Sequence, residues 1–166
     1  MARTPAVLVD GSKTSLLQAA DINVTFARPK GNVTLGISIS EVATVYIDYT
    51  VSTSYARVGI YDGMPKYPSP ATPPLDGPAP IRVDTLRLLP SDESLTLRAF
   101  TDLGVLEVYW MDGRVAITSP FKAGGSGSAD VYASEDGVQL MEATAWEMGS
   151  IWVSPQHVLA MPRIDR

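Results

Sequence analysis

A chain of 166 residues with 45% hydrophobic and 19% charged side chains is long enough to bury one sizeable core and too short for two, and it lacks the composition of a disordered chain. Its net charge of −5, with 13 Lys and Arg spread thinly, offers no basic patch to track a phosphate backbone, so nucleic acid is not an expected partner. Disulfides, thiolate catalysis and cysteine-ligated metals are excluded because there is no cysteine, and no apolar run approaches the ~18 residues of a membrane span.

Residues 1–21 are weakly patterned and read as an N-terminal extension. Their longest apolar run covers only residues 6–9, too short for a secretory signal, and 16–20 is either a helical turn or the approach to a strand. Alternation then begins. Ile22, Val24 and Phe26 share one face against Asn23 and Thr25; after a turn at Pro29, Lys30 and Gly31, Val33, Leu35, Ile37 and Ile39 alternate with Thr34, Gly36, Ser38 and Ser40. Asn23 and Asn32, the only asparagines, both stand in Asn-x-Thr sequences, which are read as Thr-rich strand rather than glycan acceptors. Residues 44–50 and 55–61 give another strand pair.

Residues 62–80 hold seven of the thirteen prolines, which no helix or central strand tolerates, and are read as a long surface loop. A strand over 81–89 and a turn over 90–94 lead to residues 95–118, the best-patterned part of the chain. Leu95, Leu97 and Ala99 alternate with Thr96, Arg98 and Phe100; a turn at 101–104 follows, and 105–111 resumes the extended pattern up to Asp112-Gly113. A two-residue Asp-Gly loop of type I′ would set Met111 opposite Arg114, Trp110 opposite Val115 and Val108 opposite Ile117. One hairpin face is then wholly apolar, with Leu106, Val108, Trp110, Val115 and Ile117, and a second layer must cover it. Residues 122–128 are a Gly/Ser-rich loop, 130–134, 138–148 and 150–153 are extended, and 154–166 form a C-terminal tail.

These ten or eleven short strands, with five Asp-Gly turns, predict an all-β protein: a two-sheet antiparallel β-sandwich over 22–153, jelly-roll or concanavalin-like, with a barrel of the same strand count as the alternative.

Several of these residues fall into a familiar pattern. Leu95, Leu97, Arg98, Phe100 and Asp102, then Leu106, Glu107, Val108 and Tyr109, then Asp112, Gly113, Ile117 and Thr118 resemble the C-terminal β-sandwich module of glycoside hydrolase family 32, the invertases, fructanases and related β-fructosidases. The ending, Trp146, Met148, Ser150, Ile151 and Trp152, is similar as well, and Tyr46 to Tyr49 with Ala56, Arg57 and Val58 match more loosely; the resemblance spans roughly residues 20–153. It implies an accessory module whose partner is an N-terminal catalytic propeller, with secretion or vacuolar location if the parent follows the family. The propeller's motifs, W-x-N-D-P-x-G, R-D-P and an E-C pair, have no counterpart here: the chain holds no Asp-Pro dipeptide and no cysteine. Departures from the pattern are the Pro-rich loop and Thr101 and Leu103.

No catalytic residue, metal ligand or cofactor is therefore expected. Asp102 and Asp112 lie in turns at opposite ends of one strand, roughly 25–30 Å apart, too far to act as a glycosidase pair. His157, the only histidine, falls in the tail. Because sugars stack on exposed rings, Tyr61, Tyr67 and Tyr109 are the carbohydrate-binding candidates, with core packing the competing role for Tyr109. The function expected is a non-catalytic module that supports or oligomerises a glycosidase domain; a free-standing lectin-like domain and a self-assembling structural protein are the alternatives.

Overall fold

The computed structural model describes residues 19–39, 42–63, 80–102, 104–122, 129–135 and 137–148, together with Gln156 and Ala160. Among them run β1 (Ala19–Ala27), β2 (Val33–Ile39), β3 (Ala43–Tyr49), β4 (Tyr55–Asp62) and β5 (Pro80–Arg87). These are followed by β6 (Ser94–Asp102), β7 (Val105–Trp110), β8 (Val115–Pro120), β9 (Ala129–Ala133) and β10 (Leu140–Glu147). They form two five-stranded antiparallel sheets, β10-β1-β6-β7-β8 and β5-β4-β3-β2-β9, here the first and second sheet. The two sheets are separate and neither closes on itself, so the fold is the sandwich and not the barrel. The first strand starts at Ala19, so residues 19–21, read from the sequence as the end of an extension, lie in the sheet. Tyr67, His157, most of the Pro-rich loop and the 150–153 strand lie outside the described residues.

The core is the set of inward positions that the alternation defines. From the first sheet come Ile22, Val24, Phe26, Leu95, Leu97, Leu106, Val108 and Trp110; from the second, Leu35, Ile37, Val45, Ile47, Val58 and Ile60, all buried. Each large aliphatic side chain so placed contributes about 1.5–3 kcal/mol of transfer free energy.

The β7–β8 hairpin keeps the expected register, with Trp110 opposite Val115, Tyr109 opposite Ala116 and Val108 opposite Ile117. Its loop differs. Met111, Asp112 and Gly113 all take positive φ, at 51°, 56° and 89°, so the turn runs from Met111 to Arg114 rather than over two residues. The reason is burial: an extended Met111 would share the outer face with Tyr109, whereas here it is only 7% exposed and packs in the core. Its N–H donates to Thr96 O (2.9 Å) and its sulfur lies 3.3 Å from the Thr96 N–H, so β6 offsets the local strain.

One end of the sandwich is clamped by charge. Asp92, in the β5–β6 turn, accepts two hydrogen bonds from Arg114 of the hairpin loop, at 2.7 and 2.6 Å, and one from the Leu89 N–H at 2.7 Å. Arg28, just past β1, donates to Leu89 O and Asp92 O and to the Tyr49 hydroxyl on β3, so three turns and both sheets are tied at this end.

On the outer face of the second sheet the Tyr46 ring lies over Gly59, its neighbour on β4. A Cβ on Gly59 would meet Arg82 O at 2.5 Å and the Tyr46 ring at 2.7 Å. Gly59→Ala is accordingly expected to cost about 1–3 kcal/mol of unfolding free energy, measured by denaturant titration, because the backbone oxygen cannot move aside.

Candidate functional site

Strand parity and register decide which side chains share the outer face of the first sheet. Asp21, Asn23 and Thr25 of β1 alternate with the core residues Ile22, Val24 and Phe26, so they point out. Pairing then aligns Trp146, Asp21, Phe100 and Glu107 in one row across four strands, and Thr144, Asn23, Arg98 and Tyr109 in the next. Glu142, Thr25 and Thr96 form a third row.

This face carries a trough of about 610 Å³ lined by Asn23, Thr25, Arg98, Phe100, Tyr109, Glu142 and Trp146, with Asp112 and Gly113 of the hairpin loop also on its lining. Trp146 and Tyr109 stand on β10 and β7, three strand spacings apart, roughly 14 Å. That is the span of a short oligosaccharide.

Within the trough the side chains hold one another. Arg98 donates from Nε and Nη2 to the two carboxylate oxygens of Asp21, at 3.0 and 2.7 Å, a two-pronged geometry that fixes the guanidinium plane and leaves Nη1 outside the fork. The Arg98 side chain is about half in solvent (52%), so the pair adds little to stability and its effect is orientation. The guanidinium also lies 4.6 Å from the Phe100 ring centre, and Tyr109 meets Phe100 edge-on at 5.9 Å and 80°. Phe100 is thus capped on one face and at one edge. Trp146 is the open ring, 52% exposed.

Charge on this face is dominated by carboxylates. Asp21 offsets Arg98, while Glu107, Glu142 and Asp112 remain. Glu107 and Glu142 stand on β7 and β10, three strands across and four residues along, roughly 20 Å apart at the backbone and beyond either spacing used by paired glycosidase acids. Asp21 and Glu107 share a row with the Phe100 ring between them. Among the described residues no three His, Cys, Asp or Glu side chains gather closely enough to hold a metal ion.

Of the sequence candidates, Tyr109 lies in the trough, partly buried, with its hydroxyl 3.4 Å from Glu107 Oε2. Tyr61 has the outward parity of its strand but is only 2% exposed, stacked at 4.7 Å on the buried Tyr46, and so presents no ring to a ligand. Burial pushes both tyrosines up, and Asp48 nearby as well, although the Thr34 hydroxyl donates to Asp48 at 2.7 Å. Pattern reading of the sequence missed Trp146, Arg98, Asn23 and Glu142. Their signal was parity: Glu142, Thr144 and Trp146 alternate with Ala143 and Ala145, which pack toward the core.

Comparison with known proteins gives a consistent picture. The model of the family described as Glycosyl hydrolases family 32 C terminal matches residues 4–147. No sequence among the curated proteins matches the chain. Among solved structures, the exo-inulinase of Aspergillus awamori is similar at 14% identity and a TM-score of 0.53, covering 84% of this chain and 26% of that one. The Caenorhabditis elegans galectin LEC-6 is similar at 10% identity and a TM-score of 0.52, covering 87% and 92%. Sucrose-6-phosphate hydrolase from Lactobacillus gasseri shares 21% identity over 92% of this chain and 29% of its own, with a TM-score of 0.48. At such identities the inulinase and the galectin agree with the chain in fold alone, and the chain spans less than a third of the two glycosidases.

Proposed function

Since the chain belongs to the family of glycosyl hydrolase family 32 C-terminal domains, we propose that it works as a non-catalytic accessory module supporting a partner glycosidase domain, and that it contributes by holding saccharide in the trough of the first sheet. The observation that carries this reading is an open indole, Trp146, on the same face as a guanidinium already oriented by Asp21. Sugar rings pack their C–H faces on aromatic surfaces, and their hydroxyls both donate and accept, which suits Arg98 Nη1, the Asn23 amide and the Glu142 carboxylate together. The carboxylate excess favours neutral saccharides over uronic or sialic acids, and two carboxylates a trough-length apart supply no hydrolytic pair. The glycosidases that resemble the chain are more than three times its length, which supports a partner domain.

The test uses the purified chain with sucrose, inulin and levan, and a glycan array. The expected result is no turnover and saturable binding of a neutral oligosaccharide. Trp146→Ala and Arg98→Ala should each weaken that binding at least about tenfold, or 1.4 kcal/mol, with unchanged thermal unfolding. Turnover that copurifies with the chain, or binding indifferent to both substitutions, overturns the proposal. A free-standing lectin-like domain would use the same trough, and is told apart by adding the chain to a fructanase catalytic domain and finding no change in its activity.

A further inference from the structure

We infer that Asp21 sets the charge selectivity of the trough: by occupying Arg98 it reserves the site for uncharged saccharides, and an unpaired Arg98 would admit anionic ones. This rests on the saccharide reading of the trough and names the residue that decides what the site selects.

Among the described lining residues Arg98 is the one cation, and it stands centrally, between Asn23 on β1 and Tyr109 on β7. A guanidinium without a partner there would be a ready fork for a carboxylate, sulfate or phosphate group. Asp21 fills that fork instead, accepting from Nε at 3.0 Å and from Nη2 at 2.7 Å. The Asp21 side chain is itself only 15% exposed, so a ligand entering the trough meets an arginine already neutralised. Donor capacity survives at Nη1; the net charge does not.

Register makes this a diagonal contact: Asp21 pairs with Phe100, and Arg98 with Asn23. To reach the carboxylate the Arg98 side chain passes beside the Phe100 ring, whose centre lies 4.6 Å from the guanidinium carbon. The ring is a second hold, so the guanidinium should keep its place in the trough when Asp21 loses its charge. The remaining carboxylates are poorly placed to replace Asp21. Glu107 lies on the far side of Phe100 with the Tyr109 hydroxyl 3.4 Å from its Oε2, Glu142 is two strands away, and Asp112 is in the hairpin loop. In a trough open to solvent such separated charges act weakly on Arg98.

The test titrates two matched sugars into the full chain: a neutral fructo-trisaccharide, and the same trisaccharide with one primary alcohol oxidised to a carboxylate. Two charge-matched variants accompany it. Asp21→Asn and Glu107→Gln each remove one negative charge from the same row, but only the first releases a guanidinium. The parent should bind the neutral sugar, and the carboxylate form at least about threefold more weakly. In Asp21→Asn the carboxylate form should gain at least about tenfold, a gain that shrinks with added salt, while the neutral form changes by less than about threefold. Glu107→Gln should move the ratio of the two affinities by less than about threefold, and adding Arg98→Ala to Asp21→Asn should erase the gain. Thermal unfolding should be unchanged in both single variants, since Arg98 is half in solvent. Equal binding of the two sugars by the parent, an unchanged ratio in Asp21→Asn, or equal gains in the two variants overturns the inference and leaves the saccharide reading standing. A parent that binds neither sugar overturns both.

Discussion

Trp110→Ala loses about 3–5 kcal/mol of unfolding free energy in guanidinium titration, the largest effect expected of any single substitution in this sandwich. Trp110 is fully buried, and it sits between Leu97 on β6 and Val115 on β8, so the cavity would open in the middle of the first sheet's inner face. Neighbours on flanking strands are held by ladder bonds and cannot collapse into the space. The control is Trp110→Phe. The indole Nε1 has no hydrogen-bond partner among the described residues, so phenylalanine gives up volume but no bond seen there, and its cost should stay below about 2 kcal/mol. Equal losses for the two variants would mean that the nitrogen, not the ring volume, matters at this position.

The second large effect belongs to the clamp at Asp92. Asp92→Ala leaves Arg114 without its carboxylate and the Leu89 N–H without an acceptor, and is expected to cost about 3 kcal/mol, at the low end for a broken buried pair because Arg114 keeps some solvent. The Arg114 fork, helped by the Leu89 N–H against the opposing effect of burial, holds the Asp92 carboxyl at about 2 instead of 3.8. A carboxyl whose folded value lies below its unfolded one stabilises the fold fully above the unfolded value, and that contribution disappears as the pH falls through the folded one. Stability should therefore drop by up to about 2 kcal/mol between roughly pH 5 and pH 2 through this group, and the acid limb should be shallower in Asp92→Asn. An unchanged acid limb in that variant would show the clamp to be energetically idle.

The strands were legible in the sequence because alternation is local and strong here. Ile22, Val24 and Phe26, or Leu106, Val108 and Trp110, need no knowledge of their partners to be assigned to one face. Register across the β7–β8 hairpin was legible too, since Asp112-Gly113 marks the turn. Met111 was not, because its excursion to positive φ goes with burial in the core and with contacts to Thr96, fifteen positions away in the chain. Tyr61 shows a second blind spot: outward parity does not mean exposure, and stacking on Tyr46 buries it. The trough was hidden for a third reason. Its rows draw on β10, β1, β6 and β7, strands joined only through long-range pairing, and the fork between Arg98 and Asp21 spans 77 positions. No local pattern brings those residues together.

The most direct measurement is amide and indole NMR of the labelled chain during titration with a neutral fructo-oligosaccharide. The account predicts saturable shifts of the Trp146 indole N–H and of the Asn23 and Arg98 amides, while the Trp110 indole, sealed in the core, stays still. Shifts confined to the β5-β4-β3-β2-β9 face, or none at Trp146 at millimolar sugar, would contradict it.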